Sequence, residues 1–250
     1  MYYKKDLGYK YPDRSDEHMI TVKHLRDTHF DEHYPYLDKS FFYKVKRVVL
    51  WILLNTIVFP IVTIRHGLKI YGKENLPKED GFLMYSNHQG LFDVLVFLES
   101  CPVPFAFVIK KEASNIILLK QVIAALKSIS IDREDIRQSM QVINEVAEEV
   151  KKGRNFLIFA EGTRSKMGNK PLPFKGGTFK SAVKAKCPIV PCALIDSFKP
   201  FDVSSIAPVT VKLVYLPPIP YEEYCGMKTP EIAEMVKQRI ETAISEYENK

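Results

Sequence analysis

Cysteine is scarce in this chain, which has four cysteines among 250 residues and no pair spaced as C-x-x-C. This content gives no disulfide framework, and the spacing of Cys101, Cys187, Cys192 and Cys225 gives no zinc cluster. We therefore expect reduced, structural thiols in a cytoplasmic setting. The chain also lacks an internal repeat and a low-complexity tract, which leaves ordinary globular architectures.

The first 40 residues lack the apolar core of a signal peptide and are polar, with many tyrosines and histidines. Four of the six histidines lie here, and His29 and His33 are spaced i, i+4. Two histidines at this spacing can bind a metal from one face of a helix, but no third ligand of evident geometry accompanies them. A solvated helix is the favoured interpretation, and we predict no metal site.

A long uninterrupted apolar run is missing as well, and residues 48–64 come nearest to one. A bilayer span needs about 20 apolar residues, with about 17 as the lower bound, and Pro60 would break or kink a helix here. Basic residues on both sides favour helices that lie in the headgroup layer, with a true span and a core helix as the alternatives. We predict a polar extension with a membrane-interface helical segment over residues 1–66, and one domain over residues 67–250.

Acidic residues are fewer than basic ones: the chain has 30 aspartates and glutamates and 36 lysines and arginines, which gives a net charge of +6. This excess favours anionic partners such as acidic lipid surfaces or anionic acyl carriers. The basic residues are scattered and no nucleic-acid-binding fold is recognisable, so we predict no nucleic-acid partner. A hydrophobic content of 46% is enough for one globular domain with a good-sized core.

Strand-like and helix-like patterns alternate along the domain. Short apolar runs predict strands, and apolar residues spaced three or four apart predict helices. The alternation predicts the α/β class, a layered single domain with a largely parallel central sheet. The predicted strands are 81–86, 105–109, 155–160, 189–195 and 209–216, and the predicted helices are 91–99, 136 to about 153, 178–186 and 230 to about 248.

The heptapeptide N-H-Q-G-L-F-D over residues 87–93 places a histidine five residues before an aspartate. On a regular helix positions i and i+5 point apart, so His88 and Asp93 meet only if the chain turns, which Gly90 permits. His88 would follow a buried strand, and Asp93 would lie in the first turn of the next helix. With Nδ1 donating to Asp93, the other ring nitrogen is a base suited to an alcohol. The alternative is a buried histidine tied to a helix-capping carboxylate.

A second motif, F-A-E-G-T-R-S over residues 159–165, follows another predicted strand. In a parallel sheet this strand delivers the motif to the same edge as His88. Gly162 would offer a free backbone N–H, and Arg164 offers a planar guanidinium that suits phosphate. Glu161 is expected to hold that guanidinium or to bind a substrate hydroxyl. The alternative is a surface turn with an Arg–Glu ion pair.

The chain resembles the lysophosphatidate (1-acylglycerol-3-phosphate) acyltransferase family from about residue 68 to residue 216. Four family blocks have counterparts in order. They are N-H-x₄-D at 87–93, S-I-S-I-D-R at 128–133 after the basic pair at 110–111, F-A-E-G-T-R-S at 159–165, and I-V-P-C-A-L at 189–194. The segment F-K-G-G-T-F at 174–179 also resembles the family's basic, glycine-bearing segment.

The resemblance implies a role for each matching residue. His88 would be the general base and Asp93 its orienting carboxylate. The residues implied to bind the acceptor's glycerol phosphate are Glu161, Gly162, Thr163 and Arg164, with Lys110 and Arg133 as further contributors at the phosphate. The acceptor hydroxyl would attack the thioester of acyl-CoA or acyl carrier protein directly, without an acyl-enzyme, a cofactor or a metal.

The resemblance also implies the overall activity, which is transfer of a fatty acyl group to the free hydroxyl of lysophosphatidate. The product would be phosphatidate, in phospholipid biosynthesis, made by a membrane-associated protein at the cytoplasmic face. One alternative keeps the chemistry but takes another lysophospholipid or a lyso-aminolipid as acceptor. The other is a non-catalytic module that binds anionic lipids.

Overall fold

The computed structural model describes residues 41–53, 56, 57, 60, 67–110, 126–132, 135–203 and 208–250. Its core is one seven-stranded sheet with strand order β1-β7-β6-β2-β5-β3-β4. The strands are β1 (Gly67–Tyr71), β2 (Leu83–Ser86), β3 (Ala106–Lys110), β4 (Ile129–Ile131), β5 (Phe156–Phe159), β6 (Ile189–Ile195) and β7 (Thr210–Tyr215).

Helices lie before β1, between several of the strands and after β7. They are α1 (Phe41–Leu53), α2 (Asp93–Ser100), α3 (Ile136–Lys151), α4 (Lys180–Ala185), α5 (Lys199–Asp202), α6 (Tyr221–Tyr224) and α7 (Thr229–Tyr247), with 3₁₀ turns at Lys73–Asn75 and Gly176–Phe179. The predicted α/β class with a single layered domain is confirmed. The division of the chain at residue 66 stays a prediction.

Neighbouring strands of the sheet run parallel, except for the antiparallel pair β6 and β7. The prediction of a largely parallel sheet is therefore confirmed. In the register, Ser86 at the end of β2 lies beside Phe159 of β5 and Cys192 of β6. The carboxyl ends of these three adjacent strands thus open onto one edge of the sheet, where parallel sheets bind their ligands.

Both faces of the sheet are buried, as a parallel sheet requires. Met84 and Leu157 face one apolar cluster, which α2 covers with Val96 and Phe97. The opposite face packs against α3, α4 and α7. In α7 the four residues predicted to be buried are all buried: Ile232, Val236, Ile240 and Ile244.

Helix α3 has a buried face that differs from the predicted one. Asp135 caps its first turn by accepting the N–H groups of Arg137 and Gln138. Val146 and Val150 are buried as expected, but Ile136 is 79% exposed. Ile136 is exposed because it lies in the first turn, at the end of the helix, and the buried face includes Val142 and Ala147 as well.

The N-terminal part of the chain is described only from α1 onward. This helix exposes several apolar side chains: Phe41, Phe42, Val45, Val48, Val49 and Ile52. Among the described residues, we find no helix that is long and apolar enough to span a bilayer. His29 and His33 lie outside the described residues, as do most of residues 54–66, so the predictions made for them stay predictions.

Candidate active site

His88 and Asp93 meet at the carboxyl edge of β2. The chain leaves β2 after Ser86, turns through residues 87–92 and enters α2 at Asp93. His88 Nδ1 lies 2.7 Å from Asp93 Oδ2, so the predicted contact across five residues is confirmed. The Asp93 side chain is fully buried, while that of His88 is 19% exposed. The ring is therefore held at Nδ1 and remains partly exposed to solvent.

Further donors surround the Asp93 carboxylate. Oδ2 accepts the backbone N–H of Gln89 at 2.6 Å, and the N–H of Gly90 lies 3.1 Å from each oxygen. The Ser197 hydroxyl donates to Oδ1 at 2.6 Å. These donors satisfy both oxygens and fix the orientation of the carboxylate. Because the carboxylate accepts from Nδ1, the imidazole proton lies on Nδ1 and Nε2 keeps its lone pair.

The plane of the imidazole is set by Phe159, the last residue of β5. The two rings stack with centroids 4.2 Å apart and an angle of 20° between their planes. Phe97 from α2 packs edge-on against Phe159 on the side of the apolar cluster. The ring of His88 thus rests on the core, which limits its rotation about the side-chain bonds.

Glu161 contacts two backbone N–H groups and not the Arg164 guanidinium that the sequence suggested as a partner. Its Oε1 accepts the backbone N–H of His88 at 2.8 Å, and its Oε2 accepts that of Leu172 at 2.9 Å. The residue is buried, and burial raises the pKa of its carboxyl, while the two N–H donors oppose that rise. Each oxygen of Glu161 thus accepts a backbone N–H group, and neither accepts from the Arg164 guanidinium, whose contact is with Asp202. Glu161 joins the two motifs, as does the 2.8 Å bond from Ser165 N–H to the His88 carbonyl.

Gly162 does not present the free N–H that the sequence suggested. Its N–H donates to the Phe159 carbonyl at 3.1 Å, which closes a tight turn after β5. Its φ of 71° lies in the left-handed region, so a side chain here would strain the backbone. A Cβ would also lie 3.1 Å from Nζ of Lys175, whose side chain passes over this turn. The glycine is needed for the shape of the turn.

Arg164 lies beside the histidine loop, in an ion pair with a residue that the motifs did not include. Its Nη1 lies 3.0 Å from Oδ1 of Asp202 at the end of α5. Thr163, next to it, is exposed. The structure therefore brings Arg164 and Thr163 to the sheet edge that carries His88, and adds Asp202.

Lys110 and Arg133 are the other two residues that the sequence analysis assigned to the phosphate. Lys110 is exposed and ends β3, which lies beside β5, so it reaches the same edge of the sheet. Arg133 lies outside the described residues. Within the described residues, no group of three or more histidine, cysteine, aspartate or glutamate side chains is arranged to hold a metal ion.

Three polar residues of the site were missed by the sequence analysis or given no role there. The side chain of Asn87 donates to the carbonyl of Leu194 at 2.9 Å and accepts its N–H at 2.8 Å, which fixes the histidine loop to β6. Gln89 accepts the N–H of Ser197 at 2.9 Å. Ser197 follows β6 by two residues, so the rule that found His88, a polar residue just after a buried strand, also singles it out.

An apolar pocket of about 230 Å³ begins at the second motif. Gly162 and Lys175 lie at this pocket, together with Thr178. Its apolar wall comes from β3, β4, β5 and α3: Val108, Ile131, Ile158, Val142 and Val146. The pocket lies on the face that α3 and α4 cover, whereas the His88 ring stacks on Phe159 of the opposite face, and the turn at Gly162 reaches both.

This chain is similar to several curated proteins of one name. The 1-acyl-sn-glycerol-3-phosphate acyltransferase of Cocos nucifera is 31% identical over 195 residues, covering 76% of this chain and 58% of that protein. The enzyme of that name from Helicobacter pylori is 35% identical over 120 residues, covering 48% and 51%. The chain thus spans little more than half the length of these two curated relatives. The Bacillus subtilis enzyme of that name is 26% identical, covering 76% of this chain and 92% of its own.

The fold is also found in a solved structure. The crystal structure of the 1-acyl-sn-glycerophosphate (LPA) acyltransferase from Thermotoga maritima superposes with a TM-score of 0.63 at 23% sequence identity, covering 89% of this chain and 93% of the other. At that identity the likeness establishes the fold. The model of the family described as Acyltransferase matches residues 67–195, from β1 to the end of β6, which is more than half of the chain. This protein therefore belongs to the acyltransferase family.

Proposed function

We propose that this protein is an O-acyltransferase that transfers a fatty acyl group from a thioester donor to the free hydroxyl of lysophosphatidate. The observation that carries the proposal is the 2.7 Å contact of His88 Nδ1 with Asp93 Oδ2 in a half-buried site of an acyltransferase-family chain. The names of the relatives support lysophosphatidate as the acceptor. A module that only binds lipid has no use for an oriented base.

In the proposed reaction, Nε2 of His88 takes the proton of the acceptor hydroxyl as its oxygen attacks the carbonyl carbon of the thioester. The carbon–sulfur bond then breaks, and the departing sulfur receives the proton from the imidazolium, so that protons balance. Asp93 keeps the ring oriented and stabilises the imidazolium. The scheme takes acyl-CoA or acyl carrier protein as the donor and needs no cofactor and no metal.

We assign the phosphate of the acceptor to Arg164, with Thr163 and the turn at Gly162 beside it. Support comes from the partial exposure of the guanidinium and from the hydrogen bond that ties Ser165 to the His88 carbonyl. We assign Lys110 and Arg133 to the same anion as further cations. Glu161 is assigned to positioning, because both of its oxygens accept backbone N–H groups.

The surroundings of the site fit a lipid substrate at a membrane. The apolar pocket beside Gly162 has the size and lining to receive part of an acyl chain. The exposed apolar side chains of α1 suit the headgroup layer of a membrane. Because the chain is basic, the anionic cytoplasmic leaflet is the surface we propose.

His88→Ala tests the base. We expect a fall in turnover of about 10²–10⁴-fold, which is the usual contribution of such a group. Binding to anionic vesicles should remain. The assay measures thiol release and phosphatidate by mass spectrometry, with lysophosphatidate and either thioester. Near-normal turnover of the variant would refute the assignment, and vesicle binding without any product from the wild type would favour the lipid-binding alternative.

Arg164→Ala tests the phosphate site. We expect KM for lysophosphatidate to rise about tenfold or more, because a hydrogen bond to a charged group contributes about 1.5–3 kcal/mol. A neutral acceptor such as monoacylglycerol should lose little. Arg239→Ala is the matched control, since Arg239 on α7 is also partly exposed and paired with a carboxylate, that of Glu223. Equal losses for charged and neutral acceptors would mean that Arg164 is structural.

A further inference from the structure

The cation assigned to the phosphate already has an anionic partner. Nη1 of Arg164 lies 3.0 Å from Oδ1 of Asp202, and the two side chains are 35% and 32% exposed. The contact uses one nitrogen, whereas an arginine binds a carboxylate most strongly through two parallel bonds. A one-bond pair that is open to solvent contributes little to stability. A phosphate can therefore replace Asp202 on the guanidinium at small cost.

Asp202 is nevertheless held firmly at this position. Its N–H donates to the Phe198 carbonyl at 2.9 Å, which closes the short helix α5. The ring of Phe201 packs edge-on against the buried Phe92 at 5.1 Å between centroids. These contacts place the carboxylate between the two motif loops, so it stays near the site after a phosphate has displaced it.

The histidine loop makes room for this carboxylate. A Cβ built on Gly90 would lie 2.3 Å from Oδ2 of Asp202 and 3.1 Å from Cα of Phe198. Gly90 does not have a positive φ, so its turn alone does not require glycine. The close approach of the Phe198 backbone and of the Asp202 carboxylate leaves little space for a side chain here. One carboxylate therefore contacts both the loop of the base and the arginine.

We propose that Asp202 is a specificity-determining residue that serves as the counter-ion of Arg164 in the free protein and is displaced by the phosphate of the acceptor. The inference rests on the proposed function, in which Arg164 binds that phosphate. Because the displaced carboxylate remains nearby, it repels a bound anion, and the repulsion grows with the charge of the anion. A phosphomonoester carries about −1.5 to −2 at pH 7 and a phosphodiester carries −1. Asp202 thus weakens the binding of phosphomonoesters and of free phosphate more than that of phosphodiesters.

The test variant is Asp202→Asn, which removes the charge and keeps the shape. The matched control is Asp196→Asn, because Asp196 precedes the same helix and pairs with Lys199 at 2.9 Å instead of with Arg164. Its φ of 64° is also tolerated by asparagine. Asp202→Ser is a second variant without the charge, and thermal unfolding shows whether each variant is folded.

The first measurement is the ratio of kcat/KM for lysophosphatidate to kcat/KM for a lysophosphatidylglycerol with the same acyl chain. We expect this ratio to rise about two- to fivefold in both Asp202 variants, as fits the strength of a partly exposed ion pair, and to stay unchanged in Asp196→Asn. A fall of the ratio in the Asp202 variants would overturn the proposal, since Asp202 would then be orienting the arginine. An equal rise in Asp196→Asn would also overturn it, since net charge alone would then explain the effect.

The second measurement is titration of the full-length protein with inorganic phosphate, which needs no turnover. Binding should tighten about two- to fivefold in Asp202→Asn, stay unchanged in Asp196→Asn and disappear in Arg164→Ala. Unchanged or weaker binding in Asp202→Asn would overturn the proposal. If the wild type transfers no acyl group, the proposed function fails, and this titration still decides whether Asp202 competes for the arginine.

Discussion

Glu161→Gln tests the role that the structure gives to the buried glutamate. In the wild type one oxygen accepts the backbone N–H of His88 and the other accepts that of Leu172. Glutamine has one oxygen and one NH₂ group, so it can accept only one of these two bonds. The NH₂ group must then face a backbone N–H in a buried place. The substitution is nearly isosteric, so packing should change little.

The expected loss of stability follows from these contacts. One bond to a charged acceptor, about 1.5–3 kcal/mol, is removed and a buried N–H is left without a partner. Removal of the charge offsets part of this loss of stability, because burial raises the pKa of Glu161 and thus disfavours its ionised form. We expect a net loss of about 1–3 kcal/mol, or roughly 3–10 °C in Tm for a domain of this size.

The expected loss of activity falls on kcat, because the N–H of His88 carries the loop of the base. A displacement of the order of 1 Å in a catalytic group can lower turnover about 10²-fold. KM for lysophosphatidate should stay close to that of the wild type. Steady-state kinetics and thermal unfolding measure both effects, with Glu246→Gln on the exposed face of α7 as the control. A raised KM with unchanged kcat and Tm would refute this reasoning, since Glu161 would then be binding the acceptor.

Two further predictions concern the same network. Ser197→Ala removes the hydroxyl bond to Asp93 and should lower kcat about tenfold without raising KM for the acceptor. The control Ser100→Ala, which removes a buried hydroxyl at the far end of α2, should lower Tm only. Equal kinetics of the two variants would contradict a positioning role for Ser197. Because the pKa of Glu161 is raised, the folded state binds the proton of its carboxyl more tightly than the unfolded state does. The free energy of unfolding of the wild type, relative to that of Glu161→Gln, should therefore rise as pH falls from the raised pKa towards the ordinary value of about 4.3. Urea unfolding across this range measures the difference, which would stay constant if Glu161 did not titrate there.

The framework of this site was predictable from short-range sequence patterns. Buried strands were evident as apolar runs, and the polar residues after them were assigned to one edge of a parallel sheet. That reasoning placed His88 against Asp93 and Arg164 beside them. β1 and β4 were not predicted. They have five and three residues, and their positions are polar or half-buried, so neither forms an apolar run. Their strand character depends on pairing with β7 and β3.

The roles of Glu161 and Gly162 were not predictable in the same way. A sequence gives the charge of a side chain but does not show which backbone N–H groups will reach it after folding. In the family motif the glutamate precedes an arginine, which suggests an ion pair between them, yet the partners of Glu161 are the N–H groups of His88 and Leu172. Asp202 was missed for the same reason, since 38 residues separate it from Arg164 in the chain.

The hydrogen bonds of His88 support the role of general base that we propose for it. Its N–H donates to Glu161, its carbonyl accepts from Ser165, and its Nδ1 pairs with Asp93. Within the described part of the chain, Nε2 is the one polar atom of this residue for which the structure shows no hydrogen-bond partner, and it belongs to a side chain that is 19% exposed. A histidine that served only to cap α2 would gain nothing from this exposure. The backbone bonds hold the loop, the Asp93 contact and the stacking on Phe159 hold the ring, and none of them uses Nε2, which takes the proton in the proposed reaction.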